Sequence, residues 1–205
     1  LPCSTSLMTA CAVIHLLNEA VAKGKTLGRP SGAMVFEPHP REFFHPHEQH
    51  FRLTPLKRKI ALFEKLGLKV AFVEHFDQHL AAMKAEEFIE RVLVAGLGVS
   101  HVVIGYDFYF GNKRRGNPEL MAQAGEQFGF GVSIMPPVAE AGEVFSSSGV
   151  RLHLAQGDVK GASHMLGENW RVLGKVVGGA KRGTGMGYPT ANLPLPKGTA
   201  LGHGI

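Results

Sequence analysis

Short apolar segments alternate with amphipathic helical patterns from the start of the chain to residue 135. The segments with strand character are 31–36, 68–72, 101–105 and 131–135. Alternation at this spacing predicts βαβ units, so the strands should form a parallel sheet with helices on both faces. Because such crossovers are right-handed, every strand-to-helix loop should then lie along one edge of the sheet.

Capping signals and apolar stripes predict the helices that connect and follow these strands. The predicted helices are 12–27, 54–66, 84–97 and 118–128, followed by one that opens at 146–151 and one at 158–166. The helix at 118–128 has the clearest start, with Asn117 as N-cap and Pro118 in its first turn.

The loop after the third strand is rich in groups that bind ligands. It reads GYDFYFGNKRRG from Gly105 to Gly116 and carries aromatic rings, an acid and three consecutive cations. In open α/β sheets, ligands bind outside the carboxyl ends of the strands. The rings could hold a flat ligand and the cations a phosphate; the alternative is that the rings pack on the core and the cations are solvated.

Two further stretches are candidates for the same site. Glu37-Pro38-His39-Pro40 follows the first strand and places an imidazole between two prolines, which restrict the backbone. Ser146-Ser147-Ser148 and Arg151 stand at a predicted helix N-terminus, where hydroxyls, free N–H groups and a guanidinium would bind an anion. A structural turn and a simple helix start remain the alternatives.

Composition limits the classes of protein. The net charge is +5, but no run of Lys and Arg exceeds three residues, which argues against a nucleic-acid-binding arm. Cys3 and Cys11 are the two cysteines, a number that fits a reducing cytoplasm rather than a disulfide framework. No apolar run has transmembrane length.

The pattern changes near residues 167–169. From Trp170 the sequence alternates like β-structure, and nine of the 26 glycines lie between Gly174 and Gly204. We expect two or three strands here, too few to bury a core of their own, so this part should be an incomplete second domain.

Four stretches together resemble the bacterial bifunctional riboflavin kinase/FAD synthetase family. They are FEPHPREFF, GYDFYFG with NKRRG, SSSGVR and GYPTANLPLP, in that family's order. The resemblance implies a Rossmann-like nucleotidyltransferase domain over 1–167 and the start of a riboflavin kinase β-barrel over 168–205. The implied reactions are adenylyl transfer from ATP to FMN, giving FAD, and phosphorylation of riboflavin by ATP.

The resemblance also implies the roles of particular residues. The flavin and nucleotide pocket of the first domain would be formed by Pro38, His39, Pro40, Phe43, Asp107, Phe108, Phe110 and Asn112. Ser146, Ser147 and Arg151 would bind the triphosphate as catalytic residues. In the kinase portion, Thr190 and Asn192 would ligate Mg²⁺ with ATP, and the nucleotide would lie against Gly183, Gly185, Gly187 and Pro189.

Two departures from the family pattern bear on activity. The family's first strand and its histidine-containing loop have no counterpart before residue 13. The resemblance implies that the later kinase strands would lie beyond Ile205. We therefore expect this chain to bind flavin or adenine nucleotide better than it turns them over. The rival interpretations are a nucleotidyltransferase for another phosphorylated cofactor precursor, a non-catalytic nucleotide-binding protein and, supported only by charge, a nucleic-acid-binding protein.

Overall fold

The computed structural model describes residues 9–48, 52–137, 139–140, 143–144, 147–172, 174–178, 191–195, 199 and 201–202. Its strands are β1 Gly32–Glu37, β2 Val70–His75, β3 His101–Gly105, β4 Gly131–Met135, β5 Ala139–Glu140 and β6 Glu143–Val144. Its helices are α1 Thr9–Thr26, α2 Pro40–Phe44, α3 Leu56–Leu66, α4 Gln78–Ala82, α5 Ala85–Glu87, α6 Pro118–Phe128, α7 Ser147–Ala155 and α8 Val159–Leu166.

The parallel strands form two separate pairs rather than one sheet. β1 pairs with β2 from Gly32 opposite Val70 to Glu37 opposite His75. β3 pairs with β4 from His101 opposite Gly131 to Gly105 opposite Met135. The parallel direction is confirmed, and the single continuous sheet expected from the alternation is wrong, because β1 and β3 are not hydrogen-bonded to each other.

Helix α1 joins the two pairs. It contacts β3 and β1 as well as α3 and α8. One apolar cluster lies between α1, α3 and the first pair, with Leu17, Phe63 and Leu68 buried at its centre. The largest cluster lies around the second pair, with Ile89, Ile104 and Met121 among its buried members. The strands are therefore covered by helical layers, as a βαβ pattern predicts.

The helix expected over 84–97 has a different geometry. It begins as α5 and continues as a π-helix over Phe88–Gly96. The Leu97 N–H donates to the carbonyl of Val92, five residues earlier, at 3.0 Å. The wider turn still buries Phe88, Ile89 and Leu93. Apolar spacing alone predicts a buried helical face and does not distinguish these two turn widths.

The remaining differences are local. β2 begins and ends later than the expected strand 68–72, and the expected helix starts at 12 and 54 lie at Thr9 and Leu56. The short antiparallel pair of β5 and β6 was not expected. α6 and β4 have the expected bounds, with Asn117 accepting a hydrogen bond from the Leu120 N–H at 2.9 Å.

A separate apolar cluster packs α7 against α8. Val150, Leu154, Ala162 and Met165 are buried there, and Trp170 and Leu201 pack on them. C-terminal to residue 170, the described residues contain one isolated antiparallel bridge, Val177 with Asn192, so the expected start of a β-barrel remains a prediction. Within the described part of the chain, no helix has the length and apolar character needed to cross a bilayer.

Candidate functional site

A cavity of about 1030 Å³ lies between β1 and β3. Every residue of both strands lines it, and α1, α3 and α7 contribute to its walls. Three stretches predicted from sequence reach this cavity, through His39, Phe108 and Arg151. The candidate site is therefore the end of the cavity at which β1 and β3 finish.

His39 lies directly after β1 and caps α2. Its Nδ1 accepts a hydrogen bond from the Arg41 N–H at 3.2 Å, which fixes the ring at the start of the helix. Pro40 occupies the first turn of α2, where a missing N–H costs nothing. The Glu37–Pro38 peptide bond is cis. His39 lines the cavity, whereas Pro38 and Pro40 shape the backbone on either side.

Arg52 fixes the loop between β1 and α2 through two carboxylates. Its guanidinium forms bidentate hydrogen bonds to Glu37, at 2.9 and 2.6 Å, and also binds both carboxylate oxygens of Glu42. Hydrogen bonds from Glu42 and Glu37 raise the pKa of Arg52 above its usual range. Glu37 ends β1 and Glu42 lies in α2, so one cation fixes the helix on the strand. Arg52 was not predicted, because an arginine in a polar stretch carries no local signal of two distant carboxylate partners.

Phe43 does not line the cavity itself but belongs to an aromatic cluster that includes the cavity-lining Phe36. Its ring lies edge-to-face with Phe44 and with Phe76, at centroid distances of 5.3 Å in both pairs. Phe36 and Phe44 each lie 5.8 Å from Phe76. Phe44 is 59% exposed, which leaves one ring of the cluster open to a planar ligand.

The loop after β3 has two structural halves. Phe108 lines the cavity and stacks on Phe110 at 5.3 Å, while Phe110 is buried against Phe88 at 5.8 Å. Asp107 is exposed in the turn that follows the strand. Asn112 donates from Nδ2 to the carbonyl of Ala81 at 3.0 Å, which ties the loop to α4.

The basic triplet of this loop is solvent-exposed. Lys113 and Arg114 have positive φ values of 54° and 55°, a region that side chains rarely adopt. The Arg114 guanidinium lies over the Tyr109 ring at 5.2 Å from its centroid. None of these three side chains lines the cavity between β1 and β3.

Arg151 brings positive charge into the cavity from α7. Its Nη1 donates to the carbonyl of Ser147 at 3.2 Å, and both residues line the cavity. Burial lowers the pKa of Arg151, and the neighbouring Arg41 lowers it further. Arg41 itself pairs with Glu48 at 3.8 Å. A partly buried guanidinium that a second cation repels would be stabilised by a bound anion. Ser146, predicted with them, lies outside the described residues.

Lys59 is a second cation of the cavity that the sequence did not single out. Its side chain extends from α3 and lines the cavity near Arg52. Burial lowers the pKa of Lys59, and the positive charge of Arg52 lowers it further. Its position in the first half of an amphipathic helix gave no sign of this environment.

The predicted kinase residues fall mostly outside the part of the chain that the structure describes. Gly183, Gly185, Gly187, Pro189 and Thr190 lie outside the described residues. Asn192 is exposed, and its carbonyl accepts from the Val177 N–H at 2.9 Å. One amide side chain does not make a Mg²⁺ site, and no group of three or more metal-ligating side chains occurs within the described ranges.

Family models match two regions of the chain. The FAD synthetase model matches residues 14–149, and the riboflavin kinase model matches residues 166–205. The first region contains both cavity-lining strands and the loops that follow them.

Curated relatives carry the name bifunctional riboflavin kinase/FMN adenylyltransferase. The protein from Pseudomonas fluorescens is 40% identical over 91% of this chain, which spans 58% of its length. The protein from Haemophilus influenzae is 36% identical over 89% of this chain and 61% of its own length. The chain therefore spans about three fifths of the length of the relatives it matches.

A solved structure shares the fold. It is titled as a macrolide-efflux protein from Streptococcus pneumoniae, and it superposes with a TM-score of 0.78 at 26% identity. The match covers 89% of this chain and 59% of that one. Because the FAD synthetase model matches residues 14–149, more than half of the sequence, the chain belongs to the FAD synthetase family.

Proposed function

We propose that the cavity between β1 and β3 is the adenylyl-transfer site of FAD biosynthesis, where FMN and ATP form FAD and pyrophosphate. The observation that carries this proposal is the convergence of His39, Phe108 and Arg151 on one cavity from three different elements. ATP would enter as its Mg²⁺ complex. Riboflavin kinase activity is proposed for a full-length family member, whose kinase region corresponds to residues 166–205 here.

The arrangement suits positioning and charge neutralisation. A phosphate oxygen of FMN would attack the α-phosphorus of ATP, forming one P–O bond while the bond to the β-phosphate breaks and pyrophosphate leaves. Arg151, Ser147 and the N–H groups that begin α7 would hold the triphosphate. Lys59 would neutralise negative charge of the phosphates at the part of the cavity wall that Arg52 also lines. No covalent enzyme intermediate is required, because the rate enhancement would come from orientation of the substrates and electrostatic stabilisation of the transition state.

Flavin would contact the aromatic side of the cavity. Phe108 and Phe36 line it directly. Phe36 contacts Phe76, which in turn contacts Phe43 and Phe44. Phe110 and Asn112 would act indirectly, because both are engaged with the protein interior and hold Phe108 in place.

A non-catalytic flavin- or nucleotide-binding protein is the second candidate. The observation in its favour is that β1 and β3, which form two walls of the site, are not joined by another strand in the described chain. Binding could persist in that arrangement, while the alignment of the two substrates needed for turnover would suffer.

The decisive experiment measures binding and turnover separately. FMN fluorescence is titrated with the 205-residue chain, with and without Mg²⁺-ATP, and FAD and pyrophosphate are then quantified. Arg151→Gln should weaken ATP-dependent binding about tenfold, the usual value of one lost charge-assisted contact. Arg91→Gln is the control, since Arg91 is exposed and pairs only with Glu87 among its described contacts. FMN binding unaffected by ATP and by Arg151→Gln would refute the assignment.

A further inference from the structure

The segment that follows α8 forms part of the cavity wall. Glu168 and Arg171 line the cavity, together with Arg58 from the first turn of α3. The FAD synthetase model covers Arg58, whereas the riboflavin kinase model covers Glu168 and Arg171. The cavity is therefore lined by side chains from both matched regions of the chain.

Ion pairs join the two regions at this wall. The Nη2 group of Arg58 donates a hydrogen bond to one carboxylate oxygen of Glu168. The Nη2 group of Arg171 lies 3.8 Å from the other carboxylate oxygen. One carboxylate therefore serves two guanidinium groups, and both of these groups belong to the cavity lining.

Glu168 is a weak occupant of this position. The side chain of Glu168 is 52% exposed and that of Arg58 is 22% exposed. Ion pairs of this kind contribute little to stability, because water and salt screen them. A phosphate carries more charge and more acceptor oxygens than a carboxylate, and a guanidinium binds it through two parallel hydrogen bonds. A polyphosphate in the cavity should therefore compete with Glu168 for Arg58.

Trp170 fastens the same segment to the site. Its indole Nε1–H donates to the carbonyl of Leu53 at 3.3 Å, and Leu53 itself lines the cavity. Trp170 and Leu53 both pack on the apolar cluster of Val150, the residue before Arg151 in α7. The surroundings of the indole therefore depend on where the segment after α8 lies relative to α3 and α7.

We propose that Arg58 and Arg171 form a polyphosphate subsite of the cavity, which the carboxylate of Glu168 occupies in this structure. A triphosphate chain that enters the cavity displaces Glu168, and residues 168–171 then move away from α3. No covalent bond forms or breaks, because one anion replaces another.

This exchange would couple the cavity to the region that the riboflavin kinase model matches, because Glu168, Trp170 and Arg171 begin that region. The inference rests on the proposed function for the phosphate chemistry of its ligand. It does not depend on turnover, so binding and displacement can be measured without FMN.

Trp170 provides the readout, because it is the single tryptophan of the chain. The 205-residue chain is titrated with sodium triphosphate, which does not absorb where the indole does, and the quenching of Trp170 fluorescence by acrylamide is measured at each step. The quenching constant should rise and the emission maximum should shift to longer wavelength as the indole leaves Leu53. Calorimetry on the same samples gives the dissociation constant of triphosphate.

Two variants should move the affinity in opposite directions. Glu168→Gln removes the competing anion, so triphosphate should bind about twofold to fivefold more tightly, the range of an exposed ion pair. Arg58→Gln removes a phosphate ligand, so binding should weaken about tenfold. Both variants should show raised acrylamide quenching before any triphosphate is added and no further rise afterwards.

Two neighbours on α3 supply matched controls. Glu64→Gln and Lys57→Gln change the charge in the same way, but both side chains are exposed and neither lines the cavity. They should behave as the unmodified chain does in both measurements. Circular dichroism on all four variants confirms that they are folded.

Each outcome decides the question. Opposite changes in affinity, with a triphosphate-dependent rise in quenching confined to the unmodified chain and the controls, support the displacement. Triphosphate binding that weakens in Arg151→Gln but leaves the quenching of Trp170 unchanged would overturn it, while the proposed function would stand. An equal rise in Glu168→Gln would show that the signal does not come from Glu168 and would overturn it too. Absence of triphosphate binding would have the same result, and the titration of FMN with Mg²⁺-ATP judges the proposed function separately.

Discussion

Arg52 provides the sharpest test of how the site is held together. Substitution of Arg52 by Met keeps much of the aliphatic volume and removes all hydrogen bonds to Glu37 and Glu42. Side-chain exposures are 33% for Arg52, 35% for Glu37 and 25% for Glu42, so the network is neither fully buried nor on the open surface. Two carboxylates would be left close together without their shared cation.

The expected size follows from these exposures. Exposed ion pairs contribute about 0–1 kcal/mol, and breaking a buried pair costs about 3–5 kcal/mol. A doubly bidentate network at about one-third exposure should lie between them, so Arg52→Met should lower the free energy of unfolding by about 2 kcal/mol. For a chain of this length, that lowers the melting temperature by about 4–8 °C.

Urea denaturation followed by circular dichroism measures the change, and Arg91→Gln is the matched control. Arg91 is 65% exposed and makes one ion pair, so its loss should cost less than about 0.5 kcal/mol. Double-mutant cycles with Glu42→Gln should show coupling above about 0.5 kcal/mol. A loss for Arg52→Met no larger than that of the control would refute the view that Arg52 fixes α2 on β1.

Three further predictions concern the cavity-lining Lys59, the pH dependence due to His101 and the close backbone contact at Gly111. Lys59→Gln should weaken Mg²⁺-ATP or FMN binding about tenfold without lowering stability, while Lys57→Gln, on the same helix and exposed, should do neither in fluorescence titrations. Burial, and then the charge of Lys23, lowers the pKa of His101 in the folded state. The contribution of His101 to the free energy of unfolding is therefore fully present above its unfolded pKa of about 6.5 and is lost as the pH falls through the lower folded pKa. His101→Gln should flatten that part of a curve of stability against pH. Gly111→Ala should lower the free energy of unfolding, measured in urea, by at least about 2 kcal/mol, because φ is +71° and the new Cβ would lie 2.7 Å from the Ala85 backbone. Gly129→Ala is the control: its φ is +78° but the space around it is open, so the loss should be about 1 kcal/mol.

Local signals were sufficient for much of the fold. The Asn117–Pro118 start and Gly129 end fixed the bounds of α6, because caps and terminal glycines act within a few residues. The parallel direction of the strands followed from the helices between them. The break between β1 and β3 could not be predicted, because strand adjacency depends on contacts between distant segments.

The residues of the candidate site also fall into those that local motifs predict and those that only tertiary packing reveals. His39, Phe108 and Arg151 were predicted from motifs that stand at strand or helix ends, and all three reach the cavity. Whether they bind flavin and nucleotide stays a prediction. Arg52 and Lys59 were missed, because their environments arise from packing of α3 and the preceding segment against β1 and α2.

The contacts of Trp170 have a consequence for how this chain folds. Its indole Nε1–H donates to the carbonyl of Leu53 at 3.3 Å, across 117 residues, and Glu168 pairs with Arg58 across 110. Because contacts between residues so far apart in the sequence require closure of a long loop, we expect them to form later in folding than local contacts. A polypeptide ended at Gly167 would also leave the cluster of Val150 and Leu154 without Trp170 and Leu201. The contacts of the segment next to Arg52 are thus completed only after Trp170 has been made.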